Sequence, residues 1–339
     1  VKFNRPDGAP SNRLLLTIAG AIGGLAATAA FVARSARATE RAHPPAGRFI
    51  DVHGVRLHYT DRGTGSPVVL LHGNGVTAQD WEVSGVLDEL AADRRVIAFD
   101  RPGYGYSERP RGMVWGAVEQ ADLLHAALAQ LGIVRPVVVA HSWGTLVALA
   151  LALDHPADVE RLVLVSGYYF PSIRLDVPLQ AAPATPLLGD VLRYTISPVA
   201  GRLMTPLLVR QLFAPAPVPE RFARFPLSMS LRPSQLRASA EEAALMVPSA
   251  MLLQKRYAEL VLPIDIIAGA GDMIVNAPAQ SNRLAHLILG SDAELVPGAG
   301  HMVHYFAPER VAAAARTKGS KAVHEPLAAA LARPALRTS

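Results

Sequence analysis

Between Val137 and Leu153 the chain changes character twice within a few residues, and few folds accommodate such a passage. Val137-Val138-Val139 is wholly apolar, Ala140-His141-Ser142-Trp143-Gly144 follows, and Leu146 to Leu153 contains only Leu, Val and Ala. That order reads as buried strand, sharp turn and buried helix, with a serine at the apex. Strand and helix pass close together at such a turn, so the residues two places either side of the serine have to be small. Gly144 meets this condition and Ala140 meets it approximately. Backbone strain at the turn would hold the serine Oγ above the sheet, beside a helix N-terminus whose free N–H groups favour developing negative charge. A serine here also fits an ordinary helix cap, and the remainder of the chain bears on the choice.

Other short runs share the apolar character of Val137 to Val139: Val68 to Leu71, Val96 to Phe99 and Leu162 to Val165. Runs with no polar alternation belong to strands buried on both faces, which requires a parallel sheet with helices on each side. Stretches such as Ala117 to Leu131 are long enough for the crossover helices. Phe49 to Gly54 and Val55 to Thr60 alternate instead, as a half-exposed antiparallel pair with Gly54 at the turn. With 339 residues and 50% hydrophobic content, the chain can bury one large core, or a core with an inserted subdomain.

Charge is unevenly placed. Residues 1–48 carry seven Lys/Arg and two Asp/Glu, and residues 317–339 carry four and one, whereas the span between has 22 against 25. The globular part is mildly acidic, so the basic balance of the whole chain gives no support to a nucleic-acid partner. There is no cysteine, hence no disulfide and no thiolate metal site. Leu14 to Ala33 is twenty residues without a charge, preceded by Lys2, Arg5 and Arg13 and followed by Arg34, Arg37, Arg41 and Arg48. As a helix it would span about 30 Å, the thickness of the hydrocarbon layer. A single membrane-anchor helix is the leading expectation for residues 1–48. A cleaved signal ending near Ala27-Thr28-Ala29, which would leave the protein secreted or periplasmic, and a buried helix of a soluble body are the alternatives.

Two further turns follow buried strands, at the strand ends where ligands bind in open α/β sheets. His72-Gly73-Asn74-Gly75 comes after the first such strand and Asp100-Arg101-Pro102-Gly103-Tyr104-Gly105-Tyr106-Ser107 after the second. Together with the serine turn, and in this order, they make the chain resemble the α/β-hydrolase family from about Phe49 to Arg316. The resemblance implies a mostly parallel eight-stranded sheet with helices on both faces and an inserted helical cap. It also implies a nucleophile, an acid and a histidine in that chain order, with no cofactor or metal. Ser142 takes the first place. Asp272, at the end of the run from Val261, takes the second ahead of Asp265, which lies inside the apolar run. His301, on the Gly-rich loop after Ala293 to Val296, takes the third ahead of His304. The backbone N–H groups of Asn74 and Trp143 would form the oxyanion hole. His72 is expected to be structural within its turn, and His141 to point away from the serine.

Asn74 and Trp143 also resemble the halide-holding pair of haloalkane dehalogenases. Those enzymes attack with an aspartate, and Ser142 departs from that pattern. The expected organisation is a core over 49–170 and 261–316, a cap over 171–260 and a tail over 317–339. Apolar cap residues, among them Leu187, Leu188, Leu192, Met204, Leu207, Leu208, Phe213, Phe222, Phe225, Met229, Met246 and Met251, are expected to form cap core and pocket ceiling. The resulting expectation is a serine hydrolase for a small to medium apolar carboxylic ester, held at a membrane by its first helix. Cleavage of a carbon–carbon or amide bond by the same triad, and a receptor-like relative with little turnover, are the alternatives.

Overall fold

In the computed structural model, which describes residues 12–288 and 291–317, the apolar runs pair into one eight-stranded sheet. Beyond Thr317, the expected tail lies outside the described residues. The strands are β1 (Arg48–Val52), β2 (Val55–Arg62), β3 (Pro67–Leu71), β4 (Arg95–Phe99), β5 (Val137–His141), β6 (Arg161–Val165), β7 (Ile264–Gly269) and β8 (Ala293–Val296). Across the sheet they run β1-β2-β4-β3-β5-β6-β7-β8, with β2 antiparallel to both neighbours and every other pairing parallel. The β1–β2 turn holds His53 and Gly54 both at positive φ, 50° and 77°, which matches the right-handed twist of a tight hairpin.

Alternate residues of the central strands enter two separate cores, which is why their sequences show no polar phase. Val69, Leu71, Val138, Ala140, Leu162 and Leu164 pack on one face with the helices Ala117–Gln130 and Gly144–Asp154. Val68, Leu70, Val137, Val139, Val163 and Val165 pack on the other with the helices Val86–Ala91 and Pro308–Arg316. Every residue of the helix after Ser142 from Gly144 to Leu153 is buried, so its lack of a polar face follows from its position.

Between β6 and β7 the chain forms helices and no strand: Val177–Ala181, Leu188–Tyr194, Ile196–Phe213, Leu227–Ser230 and Pro233–Leu253, joined by short turns. The apolar residues of this insertion divide. Phe213, Phe222, Phe225 and Met229 are buried, the first three clustering with Val76, Met302 and Tyr305. By contrast Leu187, Leu188, Met204, Leu207, Leu208 and Met251 are exposed, against the expectation of core or ceiling. For the residues on helix Ile196–Phe213 the cause is that this helix buries only Pro198 and Phe213. At the N-terminus a 31-residue helix, Asn12–Ala42, stands largely exposed over its first half. Its last turns dock on the insertion through buried Val32 and an Arg232–Glu40 ion pair at 2.9 Å.

Candidate active site

The turn at Ser142 has the shape its sequence demands. His141 ends β5, Ser142 has φ +51°, and the helix begins at Gly144. Left-handed backbone costs a residue with a side chain about 1–3 kcal/mol, and here hydrogen bonds oppose the relaxation. Ser142 N–H donates to Val165 O at 2.9 Å, and Ser142 O accepts from Thr145 N–H and Oγ1–H at 3.0 and 2.6 Å. Glycine at 144 is required by crowding, since a Cβ there would lie 2.6 Å from His72 O.

Asp272 and His301 come to Ser142 from the loops after β7 and β8, neighbouring strands on the same side of β5. Asp272 Oδ1 accepts the N–H groups of Ile274 and Val275 at 2.8 and 3.0 Å, which leaves Oδ2 aimed at His301 Nδ1, 2.8 Å away. A carboxylate can only accept, so Nδ1 carries the proton and Nε2 presents its lone pair. Nε2 lies 2.9 Å from Ser142 Oγ. The His301 and Asp272 side chains are 3% and 0% exposed, whereas Ser142 is half-buried and accessible.

The competing residues are occupied elsewhere. Asp265, second in β7, pairs with Arg161 at the start of β6, the strand end remote from Ser142. His304 Nε2 donates to Asp80 Oδ2 at 2.8 Å, and Tyr305 donates its hydroxyl to Asp80 Oδ1 at 2.7 Å. Asp80, His141 and His304 are close enough to hold a cation, but both Asp80 oxygens are taken by these bonds. His141 points its Nε2–H at His301 O, 3.1 Å away, and so braces the backbone of that histidine. Burial, reinforced by His304 and His301, pushes the His141 pKa well below the usual imidazole range and keeps it neutral. His72 donates Nδ1–H to Gly73 O at 2.7 Å and accepts Arg101 N–H on Nε2 at 3.0 Å. Burial, then the Arg101 charge, lowers its pKa to about 3.

Among the described residues, the backbone N–H groups of Asn74 and Trp143 donate to no protein acceptor. Their side chains, by contrast, are committed to helix Pro233–Leu253. Asn74 Nδ2–H donates to Ser239 O at 3.0 Å and its Oδ1 accepts from Ser239 Oγ. Trp143 is 2% exposed and donates Nε1–H to Glu242 O at 3.0 Å.

One buried group close to the site was not anticipated from the sequence. Arg101 donates to His72 O at 2.8 Å and to Gly73 O at 3.0 Å, and its guanidinium also pairs with Glu242 of helix Pro233–Leu253. Glu242 accepts further bonds from Tyr104 OH at 2.7 Å and Gln120 Nε2 at 3.0 Å. Burial, then Glu242, pushes the Tyr104 hydroxyl well above its ordinary pKa, so it remains a donor. Glu242 shares a buried helix face with Gln235, Ala238 and Ser249, and so polar a face carries no sign of burial in the sequence. Its partner Arg101 lies 141 positions away.

The fold has its counterpart in known proteins. The profile of a family described as alpha/beta hydrolase fold matches residues 66–308. The chain belongs to the alpha/beta hydrolase fold family. An uncharacterised protein of Mycobacterium tuberculosis (strain ATCC 25618 / H37Rv) is 29% identical over 294 residues, covering 82% of each chain. The 2-hydroxymuconate semialdehyde hydrolase of Pseudomonas sp. (strain CF600) is 42% identical over 133 residues, 38% of this chain and 46% of that enzyme. Among solved structures, an alpha/beta hydrolase fold protein from Burkholderia ambifaria has a TM-score of 0.66 at 25% identity, covering 80% of this chain and 97% of its own. This alpha/beta hydrolase is thus a member of a hydrolytic enzyme family that acts on small molecules.

Proposed function

We propose that the protein is a serine hydrolase that cleaves an apolar carboxylic ester through an acyl-enzyme, with Ser142 as nucleophile, His301 as general base and Asp272 as its orienting carboxylate. The reading rests on the continuous line from Ser142 Oγ to His301 Nε2, 2.9 Å, and from His301 Nδ1 to Asp272 Oδ2, 2.8 Å. A serine hydroxyl is a weak nucleophile at neutral pH, so His301 takes its proton as Oγ attacks the ester carbonyl. The carbonyl oxygen gains negative charge, which the N–H groups of Asn74 and Trp143 stabilise, each contributing about 10²–10³ in rate. His301 then gives the proton to the leaving alcohol, and water repeats the sequence on the acyl-serine.

The proposed membrane anchor is the helix Asn12–Ala42, which is long and apolar enough to cross a bilayer. It runs unbroken through Ala27 to Ala29, and its last turns are tied to the folded body by Glu40–Arg232 and by Tyr106 OH, which donates to Glu40 O at 3.2 Å. Retention as an anchor is favoured over removal as a signal on that account. Residues 171–260 serve as the cap in this reading, with 49–170 and 261–316 as the core.

The test is a panel of p-nitrophenyl esters of increasing acyl length, run on the parent and on Ser142→Ala. Loss of turnover by about 10⁴ or more is the expected result; turnover that survives the substitution rejects the mechanism, and binding without turnover in the parent favours the receptor-like alternative. The likeness to the Pseudomonas semialdehyde hydrolase supports a second reading, carbon–carbon cleavage by the same three residues. Including 2-hydroxymuconate semialdehyde in the panel decides between the two by the ratio of kcat/KM values.

A further inference from the structure

Helix Ile196–Phe213 is built the wrong way round for a helix in a water-soluble body. Ile196, Val199, Leu203 and Leu207 fall at spacings that place them on one stripe, flanked by Met204 and Leu208, and all six are exposed. Leu203 is 77% exposed and Leu207 60%. The preceding helix, Leu188–Tyr194, adds exposed Leu188 and Val191 beside exposed Leu187. Apolar surface this extensive on a folded protein marks an interaction site.

What covers it follows from its neighbour. The N-terminal helix docks on these same helices, with Phe31, Val32 and Ser35 lining a crevice shared with Pro198, Val199 and Arg202. Immediately before that contact, Leu15, Leu16, Ile18, Ile22 and Leu25 are also exposed. The apolar stripe is therefore continuous with the one segment, among the described residues, long and apolar enough to cross a bilayer. Charge agrees: exposed Arg34, Arg37 and Arg41 follow the apolar part of the N-terminal helix, and Ile196–Phe213 carries Arg202 and Arg210 with no carboxylate. An apolar face with basic flanks suits the interface of a membrane that contains anionic lipid.

We propose that the outer stripe of helix Ile196–Phe213 lies in the headgroup region of an anionic phospholipid bilayer, beside the point where the N-terminal helix enters it. The inference rests on the anchor reading of Asn12–Ala42 and adds a second, in-plane contact. The insertion that presents this stripe also holds Asn74 and Trp143 through helix Pro233–Leu253.

The chain has no cysteine, so a single introduced thiol can be spin-labelled uniquely. The full chain is labelled in turn at Leu203→Cys, Leu207→Cys, Leu16→Cys and Val134→Cys and reconstituted into vesicles of phosphatidylcholine and phosphatidylglycerol. Collisions with oxygen, which concentrates in lipid, are compared with those of a nickel chelate confined to water. All four sites are exposed, so labelling leaves the core packing intact, and Val134 lies before β5, at the strand end remote from Ser142. The expected result is loss of nickel access and a gain in oxygen access at 203 and 207, as at 16, with 134 remaining open to nickel. Labels at 203 and 207 that stay open to nickel while 16 is shielded overturn the in-plane contact and leave the anchor standing. Nickel access at all three overturns both. Shielding at 203 and 207 that follows protein concentration instead of lipid assigns the face to a second copy and also overturns the proposal. No readout depends on turnover, so the serine-hydrolase reading is tested separately.

Discussion

Asp272 carries two duties on two oxygens, and they can be separated by experiment. Oδ1 accepts from the N–H groups of Ile274 and Val275 and so fixes the loop after β7, while Oδ2 fixes the tautomer of His301. In Asp272→Asn the amide oxygen can still serve the two N–H groups, but the NH₂ turned toward His301 now donates. The imidazole must then present a lone pair on Nδ1 and carry its proton on Nε2, where it cannot accept from Ser142. We expect kcat to fall by about 10⁴ with little change in KM or in thermal unfolding. Asp272→Ala loses the same activity and also leaves two part-buried N–H groups unpaired, at up to about 1–3 kcal/mol each. A Tm lowered in Asp272→Ala and held in Asp272→Asn, with both inactive, is the signature of the two roles; equal Tm values would mean that the loop does not depend on Oδ1.

At the level of elements, the turn after β3, the turn after β4 and the helix Pro233–Leu253 are held as one body by Arg101 and Glu242. Both side chains are almost fully buried, 2% and 0% exposed, so removing either strands the other charge. Arg101→Met or Glu242→Met alone is expected to destabilise by about 3–5 kcal/mol in urea unfolding, and the pair together by much less than the sum. Additive losses would show that the two act independently. Because Arg101 also holds His72 O and Gly73 O, the single variants should lower kcat by loosening the Asn74 N–H. The central strands were legible in the sequence because burial on both faces leaves an unbroken apolar run; the alternation of β1 and β2 gave the pair but not its burial, since Leu57, His58 and Tyr59 of β2 are all buried. Ser142, Asp272 and His301 were legible because each sits where a strand ends, in a turn whose glycines mark it. Arg101, Glu242 and Asp80 were not, because a buried charge identifies itself only through a partner, and the partners lie 141 and 224 positions distant. The outward face of Ile196–Phe213 was hidden for another reason: an apolar stripe shows that a helix has two sides, not which side meets the protein.

For the molecule as a whole, three buried groups couple stability to acid in the same direction. His72 is pushed by burial, then by Arg101, from 6.5 to about 3, and His141 is pushed well below the usual range by burial and by His304 and His301. Above the unfolded pKa near 6.5 both histidines are neutral in the folded and unfolded chains, and neither contributes a pH dependence. Below it the unfolded chain binds two protons that the folded chain refuses, so folding stability falls as pH falls, and continues to fall toward pH 3 for His72. Each refused proton is worth up to about 1.4 kcal/mol per pH unit, hence up to about 2.7 kcal/mol per unit for the two. Asp100 adds to the loss at the acid end. Burial raises its pKa, but the hydrogen bond and charge of His58 outweigh this and hold it below the ordinary carboxylate value, so its contribution disappears as pH falls through that lowered value. The corresponding measurement is urea unfolding at fixed ionic strength from pH 8 to pH 4. Nearly constant stability down to about pH 6.5 and a slope approaching two protons below it are expected. His72 and His141 brace the Gly73 turn and the His301 backbone respectively through N–H groups that both rings keep while folded, so these two braces should be lost only as the chain unfolds. A profile flat to pH 4 would mean that the folded chain accepts protons at these rings.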